Sequence, residues 1–278
     1  MKLDNVLITG GTGTFGEAFA LRCLKSHIHR VCIYSRDEYK QAEMRLKVTD
    51  DRLRWFIGDV RDKERLRRAL EGVEIVIHSA ALKRVEVGEY NADEMVKTNV
   101  LGTMNLIEAC HEAGVSKVIG LSTDKAEEPI NAYGASKLLM EKLLMAANNS
   151  AGDMGPQFSV VRCGNFFGSR GSVLEIWKAA IARGERVPLT DERCTRFFMT
   201  VDETVEIVMG VIDKMPLLTV PKLRAFAPVD LSIALHSQYY LTGLRDWEKL
   251  HEIMDGKSSE DASRLNVTEL KELCFDTE

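Results

Sequence analysis

The chain has 278 residues, 45% of them apolar and 28% charged, with a formal net charge of −5. That suffices for one large domain or two small ones. No basic stripe invites nucleic acid, no apolar run nears the roughly 18 residues of a membrane span, and six scattered cysteines without a C-x-x-C pair argue for reduced thiols and no metal site.

The start, Met1 to Asn5, carries no leader pattern and runs straight into a strand, so a cytoplasmic protein is expected. Strands are expected at 6–9, 31–34, 53–57, 75–78, 117–122 and 159–162, with helices such as 16–26, 63–70, 92–113 and 132–148 between them. Such alternation implies an α/β fold: a doubly wound, Rossmann-type parallel sheet whose ligands bind at the carboxyl ends of the strands.

The first strand runs into Thr9-Gly10-Gly11-Thr12-Gly13-Thr14-Phe15-Gly16. Glycines at 10, 13 and 16 allow a tight turn, approach of backbone to a pyrophosphate, and close helix packing. Thr9, Gly10, Thr12, Gly13, Thr14, Phe15 and Gly16 are therefore candidate dinucleotide contacts. The second strand ends Tyr34-Ser35-Arg36-Asp37, with Lys40 beyond. A guanidinium there suits a 2′-phosphate, so Ser35, Arg36 and Lys40 favour NADP, while Asp37 keeps NAD as the alternative. Asp59 and Val60, after the third strand, are placed to meet the adenine; Asp59 also reads as a helix N-cap.

Next come Thr123-Asp124-Lys125, at the carboxyl end of a strand, then Tyr133 and Lys137 on one helix face. An ammonium beside Tyr133, with a positive nicotinamide, would lower the phenol and make it a base. Once a sugar C4 hydroxyl is oxidised, the C5 hydrogen is acidic. Lys125 would take it if its pKa is lowered, and Asp124 would protonate the C6 hydroxyl if its pKa is raised. The bland alternative is a weak loop ion pair.

After Asn165 the rhythm changes. Loops at 168–172 and 188–196 mix with helices at 173–183 and 201–215, another from Asp230, and a last one capped by Asn266 with Glu269 three residues on. The division expected is a dinucleotide domain at 1–165 and a smaller substrate-binding lobe at 166–278. Residues 255–263, polar and acidic, are the expected flexible segment.

The stretches 8–16, 35–45, 58–62, 78–83, 89–102, 122–138, 158–173, 188–198 and 243–252 together resemble the extended short-chain dehydrogenase/reductases. Within them the S-T-D-K-A and V-R-x-G-N-x-x-G-S-R-G-S-V patterns resemble the UDP-N-acetylglucosamine 4,6-dehydratases (inverting) of pseudaminic acid and capsule pathways. The resemblance implies that Ala80, Ala81, Lys83 and Asn99 line the cofactor site with Tyr133 and Lys137. It implies that Lys83, Asn165, Ser169, Arg170, Ser172 and Thr190 hold a UDP-HexNAc. Arg196 and Arg245 would meet the diphosphate, and Glu248 the uridine ribose. Against the family pattern, residues are missing around 215–220, Arg245-Asp246-Trp247-Glu248-Lys249 replaces Arg-Pro-Gly-Glu-Lys, and Cys163 replaces an aromatic residue.

Three functions compete. A dehydratase uses every member of the 123–137 segment. A UDP-sugar 4-epimerase needs no elimination pair, and an NADP-sensing regulator needs no Tyr-Lys pair. The resemblance also implies a homodimer or higher oligomer, paired through the helices at 92–113 and 132–148.

Overall fold

The computed structural model describes residues 4–152 and 155–275. The leaderless-start expectation rests partly on Met1, Lys2 and Leu3, which lie outside the described residues.

Seven strands form the central sheet: β1 (Asn5–Thr9), β2 (Arg30–Ser35), β3 (Leu53–Ile57), β4 (Ile75–His78), β5 (Lys117–Thr123), β6 (Gln157–Cys163) and a two-residue strand at Leu218–Thr219. Every pairing is parallel, and β1, β4 and β5 stand at the centre. Strands buried on both faces read as apolar runs, as here. Val6 and Ile8 point to one face, Leu7 to the other.

The helices of the first half are α1 (Thr14–Leu24), α2 (Glu38–Lys47), α3 (Lys63–Ala69), α4 (Val85–Tyr90), α5 (Ala92–Met95), α6 (Gly102–Ala113) and α7 (Ala132–Ala151). One layer carries α1, with Phe15 and Phe19 in the core; the other carries α3, α6 and α7, with Leu66, Leu106, Met140 and Leu144. The expected helix at 92–113 contains a π-helical stretch, Val96–Leu101. Asn99 sits in it, and its side chain bonds the backbone N–H and C=O of Leu82 and the Ser136 hydroxyl. The N-cap of α3 is Asp62, which accepts from the Arg65 N–H, so Asp59 does not cap that helix.

The second half contains β7 (Asn165–Phe166), α8 (Val173–Ala182), β8 (Val187–Leu189), β9 (Arg196–Met199), α9 (Val201–Lys214), then β10, the Leu218–Thr219 strand. After it come β11 (Arg224–Phe226), α10 (Pro228–Ala234), β12 (Tyr239–Leu241), β13 (Ile253–Met254), β14 (Lys257–Ser258) and α11 (Val267–Phe275). A third core, with Leu174, Trp177, Phe198, Phe226 and Leu270, lies here. The chain also crosses back: Val205, Val208, Val211 and Ile212 of α9 join the core beneath α1, and β10 extends the sheet beside β6. Asn266 and Glu269 bond reciprocally at the start of α11, as the sequence suggests.

The segment expected to be flexible is instead ordered by a hairpin. Asp255 and Gly256, both at positive φ, turn β13 into β14. Their N–H groups donate to the Glu127 carboxylate at 2.8 and 2.7 Å. Among the described residues no helix is long and apolar enough to cross a membrane.

Candidate active site

The glycine turn leaves β1 and enters α1, with the Gly13 N–H closing it onto the Gly10 carbonyl at 2.8 Å. Gly10 has φ +67°, and a Cβ there would stand 2.9 Å from the Ala80 nitrogen. A Cβ on Gly16 would meet the Gly10 carbonyl oxygen at 2.6 Å. Gly13 caps α1 without a side-chain bond. A cradle this tight, ending on a helix N-terminus, fits a dinucleotide pyrophosphate. Thr12 and Thr14 lie along it, with the Thr14 hydroxyl accepting from the Arg170 N–H at 3.2 Å, whereas the Phe15 ring is turned into the core against Phe19 and Phe166. Thr9 is turned into the sheet: its hydroxyl bonds His78 Nδ1 at 2.8 Å and accepts from the Ala80 N–H. It joins β1 to β4 behind the cradle, with Ala81 further along.

Around the ribose end, Gln41 donates to the Ser35 hydroxyl at 3.0 Å. Asp37 caps α2 through the Lys40 N–H and pairs with the Lys40 ammonium at 3.1 Å. Arg36 Nη1 is 3.7 Å from Asp59, which is held more closely by Arg61 at 2.8 Å. Burial works against the Asp59 charge, but these arginines outweigh it and hold the carboxyl below its usual range. Val60 lies in the core under Gly102.

At the carboxyl end of β5 a 3-10 turn, Asp124–Ala126, carries the acid and the amine. Asp124 is fully buried. Its Oδ1 accepts from the Thr123 hydroxyl at 2.9 Å and from Lys125 Nζ at 3.1 Å, while Oδ2 has no partner. Burial raises the Asp124 pKa, with Lys125 opposing and Glu252 adding to the rise. Lys125 also donates to Asn165 Oδ1 at 3.2 Å and stands 3.2 Å from Glu252 Oε1. Here the structure corrects the sequence reading. Burial alone would lower the Lys125 pKa, but Asp124 and Glu252 outweigh it, and the amine is held as an ammonium.

A second correction concerns Tyr133. Burial pushes its phenol up to about 12, and the counteracting groups are Lys125 and Thr123 rather than Lys137. Lys137 is buried one turn along, donating to the Leu121 carbonyl at 2.5 Å and to Met140 Sδ at 3.0 Å. Burial brings the Lys137 amine down to about 8. The Ser122 hydroxyl nearby is buried without a partner.

Ser122, Thr123, Lys125 and Tyr133 open on one cavity of about 560 Å³ between the sheet and the second half of the chain, while Asp124 and Lys137 are buried behind its wall. It is lined by Thr123, Lys125 and Tyr133, and also by Lys83, Asn165, Ser169, Arg170, Ser172, Thr190, Arg196, Arg245 and Glu248. Every substrate contact implied by the resemblance thus lies on its wall. Arg170 leans toward the glycine turn, donating to the Thr12 carbonyl at 2.9 Å and pairing with Glu17 at 3.0 Å. Asn99 is absent from this wall, serving as the buried strut between Leu82 and α7. Glu252, which also lines the cavity, was missed by the sequence reading. The Asp255-Gly256 turn just after it was the available signal of an ordered strap. Among the described residues no cluster of His, Cys, Asp and Glu could hold a metal ion.

Comparison with known proteins gives the family and the fold. A family model described as polysaccharide biosynthesis protein matches residues 6–271. The UDP-N-acetylglucosamine 4,6-dehydratase (inverting) of Campylobacter jejuni is 47% identical over 256 residues, covering 90% of this chain and 77% of that protein. A UDP-glucose 4-epimerase of Rickettsia rickettsii is 44% identical over 214 residues, covering 75% and 63%. The solved dTDP-glucose 4,6-dehydratase of Streptomyces venezuelae, with NAD and TYD bound, shares the fold at a TM-score of 0.83. It is 21% identical, covering 97% of this chain and 95% of that one.

Proposed function

The chain belongs to the polysaccharide biosynthesis protein family, and from that premise we propose that it is a UDP-N-acetylglucosamine 4,6-dehydratase of the C5-inverting kind. The observation that carries this reading is the Asp124–Lys125 pair beside Tyr133, with Lys125 and Tyr133 on the wall of one cavity and Asp124 buried directly behind Lys125. An elimination needs that pair. The 47% identity to the Campylobacter enzyme supports the substrate class.

A nicotinamide dinucleotide, which residues 10–16, Ser35, Arg36 and Lys40 would hold, would take a hydride from the sugar C4 and give it back at C6. Tyr133 takes the C4 hydroxyl proton, and the Thr123 hydroxyl steadies that oxygen. Lys125 passes its proton to Asp124 across their 3.1 Å contact, giving a free amine and a protonated acid in one transfer. Lys125 then takes the C5 proton and Asp124 protonates the C6 hydroxyl, which leaves as water. The pair returns to ammonium and carboxylate, its resting charge; the C5–C6 double bond then receives the hydride at C6 and a proton on the opposite face of C5, balanced by the proton that Tyr133 releases. Lys137 orders β5 and α7 behind Tyr133. Arg196 and Arg245 hold the diphosphate in bidentate fashion, Glu248 the ribose, and Lys83, Asn165, Ser169, Arg170, Ser172 and Thr190 the sugar side.

Incubation with UDP-N-acetylglucosamine in D2O, read by NMR and mass spectrometry, tests this. Loss of one water with deuterium at C5 and inverted C5 couplings is the expected result. An unchanged mass with a galacto product would establish instead the 4-epimerase reading that the Rickettsia relative favours.

For the cofactor our reading is NADP. Asp37, the first acidic residue after β2, is occupied as an N-cap, while Arg36 and Lys40 stay half exposed. NAD is the cofactor seen in the Streptomyces relative. Replacing Arg36 with Ala should weaken NADP binding at least about tenfold and leave NAD binding within about threefold. Equal losses for both cofactors in a fluorescence titration would return the assignment to NAD. We also read the protein as a homodimer or higher oligomer paired through the helices at 92–113 and 132–148, where Leu101, Met104 and Leu139 are exposed. Sedimentation equilibrium decides it.

A further inference from the structure

Glu252 stands just before β13 and is almost fully buried. Its backbone is fixed independently of its carboxylate: its N–H donates to the Ser259 hydroxyl at 3.0 Å, and the Ser259 N–H donates back at 2.8 Å. The hairpin beyond has its own anchor in Glu127. The carboxylate is therefore not needed to hold the strap. It is directed at Lys125, with Oε1 3.2 Å from Nζ, and Oε2 buried without a hydrogen bond. An ionised carboxylate in such a place is costly unless it meets charge.

We propose that Glu252 is the positioning residue of Lys125. It fixes Nζ on the sugar side of the cavity and stabilises the ammonium that forms when Nζ takes the C5 proton. This deepens the dehydratase reading and rests on it. In the step concerned the C5–H bond breaks, its proton becomes an N–H on Nζ, and its electron pair passes into the C4 carbonyl as an enolate. Nothing is oxidised or reduced. The charged and titratable groups facing this centre are Asp124 from the same turn, Tyr133 from α7, Arg196 from β9, and Lys249 beside Glu252. Arg196 opposes an ammonium on Lys125, and Lys249 stands 3.9 Å from Glu252 Oε2. With Glu252 neutral, two cations would face Lys125 with only Asp124 to balance them, and the amine would be a weaker base.

The test follows C5 exchange in D2O on the 4-keto-6-deoxy sugar nucleotide of uninverted C5 configuration, whose C5–H still faces Lys125, and needs no redox turnover. The rate of proton loss at C5 is read by NMR from about pH 6 to 10. In Glu252→Gln the rising limb should move to lower pH by about one unit or more, and level off at a lower rate. Glu252→Asp keeps the charge but withdraws it, so its limb should stay near wild type while its rate falls several-fold. A Gln variant with a lower rate but an unmoved limb would mean a structural role only and would overturn the proposal. Should the Gln variant not fold, exchange by Glu252→Asp at the wild-type rate would overturn it. Failure of the underlying reading looks different: wild-type protein would then give no C5 exchange, or Lys125→Met would exchange as fast as wild type.

Discussion

Tyr133 and Lys137 share a face of α7 but not a partner, and that separates their roles. Lys125, not Lys137, is the cation that favours the Tyr133 phenolate. Replacing Lys125 with Ala should therefore cost at least about a hundredfold in product formation, with binding of the UDP-sugar unchanged in calorimetry. A variant that dehydrates at the wild-type rate removes Lys125 from the mechanism. His78 offers a second expectation. It is buried at the end of β4, bonded through Nδ1 to Thr9 and through Nε2 to Thr103. Burial, aided by Lys137, brings its pKa down to about 3. Its unfolded value is about 6.5. Its neutral form thus supports the fold fully above about pH 6.5, and that support is lost as pH falls toward 3, at up to about 1.4 kcal/mol per unit. Urea unfolding at pH 7 and pH 5 should show a larger fall for wild type than for His78→Asn; equal falls would show that His78 is not the titrating group. At this scale the catalytic segment was legible because chemistry crowds into 123–137. Glu252 was not, because its partner is distant in sequence and only the fold joins them.

Elements carry the link between the two halves. Glu127, two residues beyond Lys125, receives Arg162 Nη1 at 2.5 Å, and Arg162 is held from the other side by Glu141 at 2.9 Å. The same Glu127 carboxylate holds the tip of the β13–β14 hairpin, and its carbonyl accepts from Lys249 at 2.6 Å. One side chain thus fastens the catalytic turn to the strap that carries Glu248 and Glu252. Glu127→Ala should cost about 1–3 kcal/mol in urea unfolding, since it leaves hairpin N–H groups and part of Arg162 unpaired. It should also raise proteolytic nicking at 255–258. Unchanged nicking would mean the strap is held by other contacts. The sequence misread this strap as flexible because its polar residues look solvated; their partners lie on the catalytic turn. The strands of the first half were legible for the opposite reason. Burial on both faces writes itself as continuous apolar runs bounded by glycine and acid.

At the scale of the molecule, the change of rhythm after residue 165 suggests a boundary, yet the chain returns across it. Val205, Val208, Val211 and Ile212 of α9 cover the same face of the sheet as α1, and β10 pairs with β6. Each such aliphatic side chain contributes about 1.5–3 kcal/mol when buried. Four together approach the 5–15 kcal/mol of a typical whole domain. The amphipathic helix at 201–215 was readable, but not which layer it covers, because an apolar stripe fits any apolar face. A fragment ending at residue 165 should therefore not fold as an independent dinucleotide domain. It should bind a hydrophobic dye, lack a near-ultraviolet circular dichroism signal and unfold without a cooperative transition, whereas a chain kept through residue 222 regains the α9 cover and the β10 edge. A 1–165 fragment that melts cooperatively and binds the nicotinamide cofactor would show that the first half is self-sufficient, and that α9 and β10 add only affinity between two complete domains.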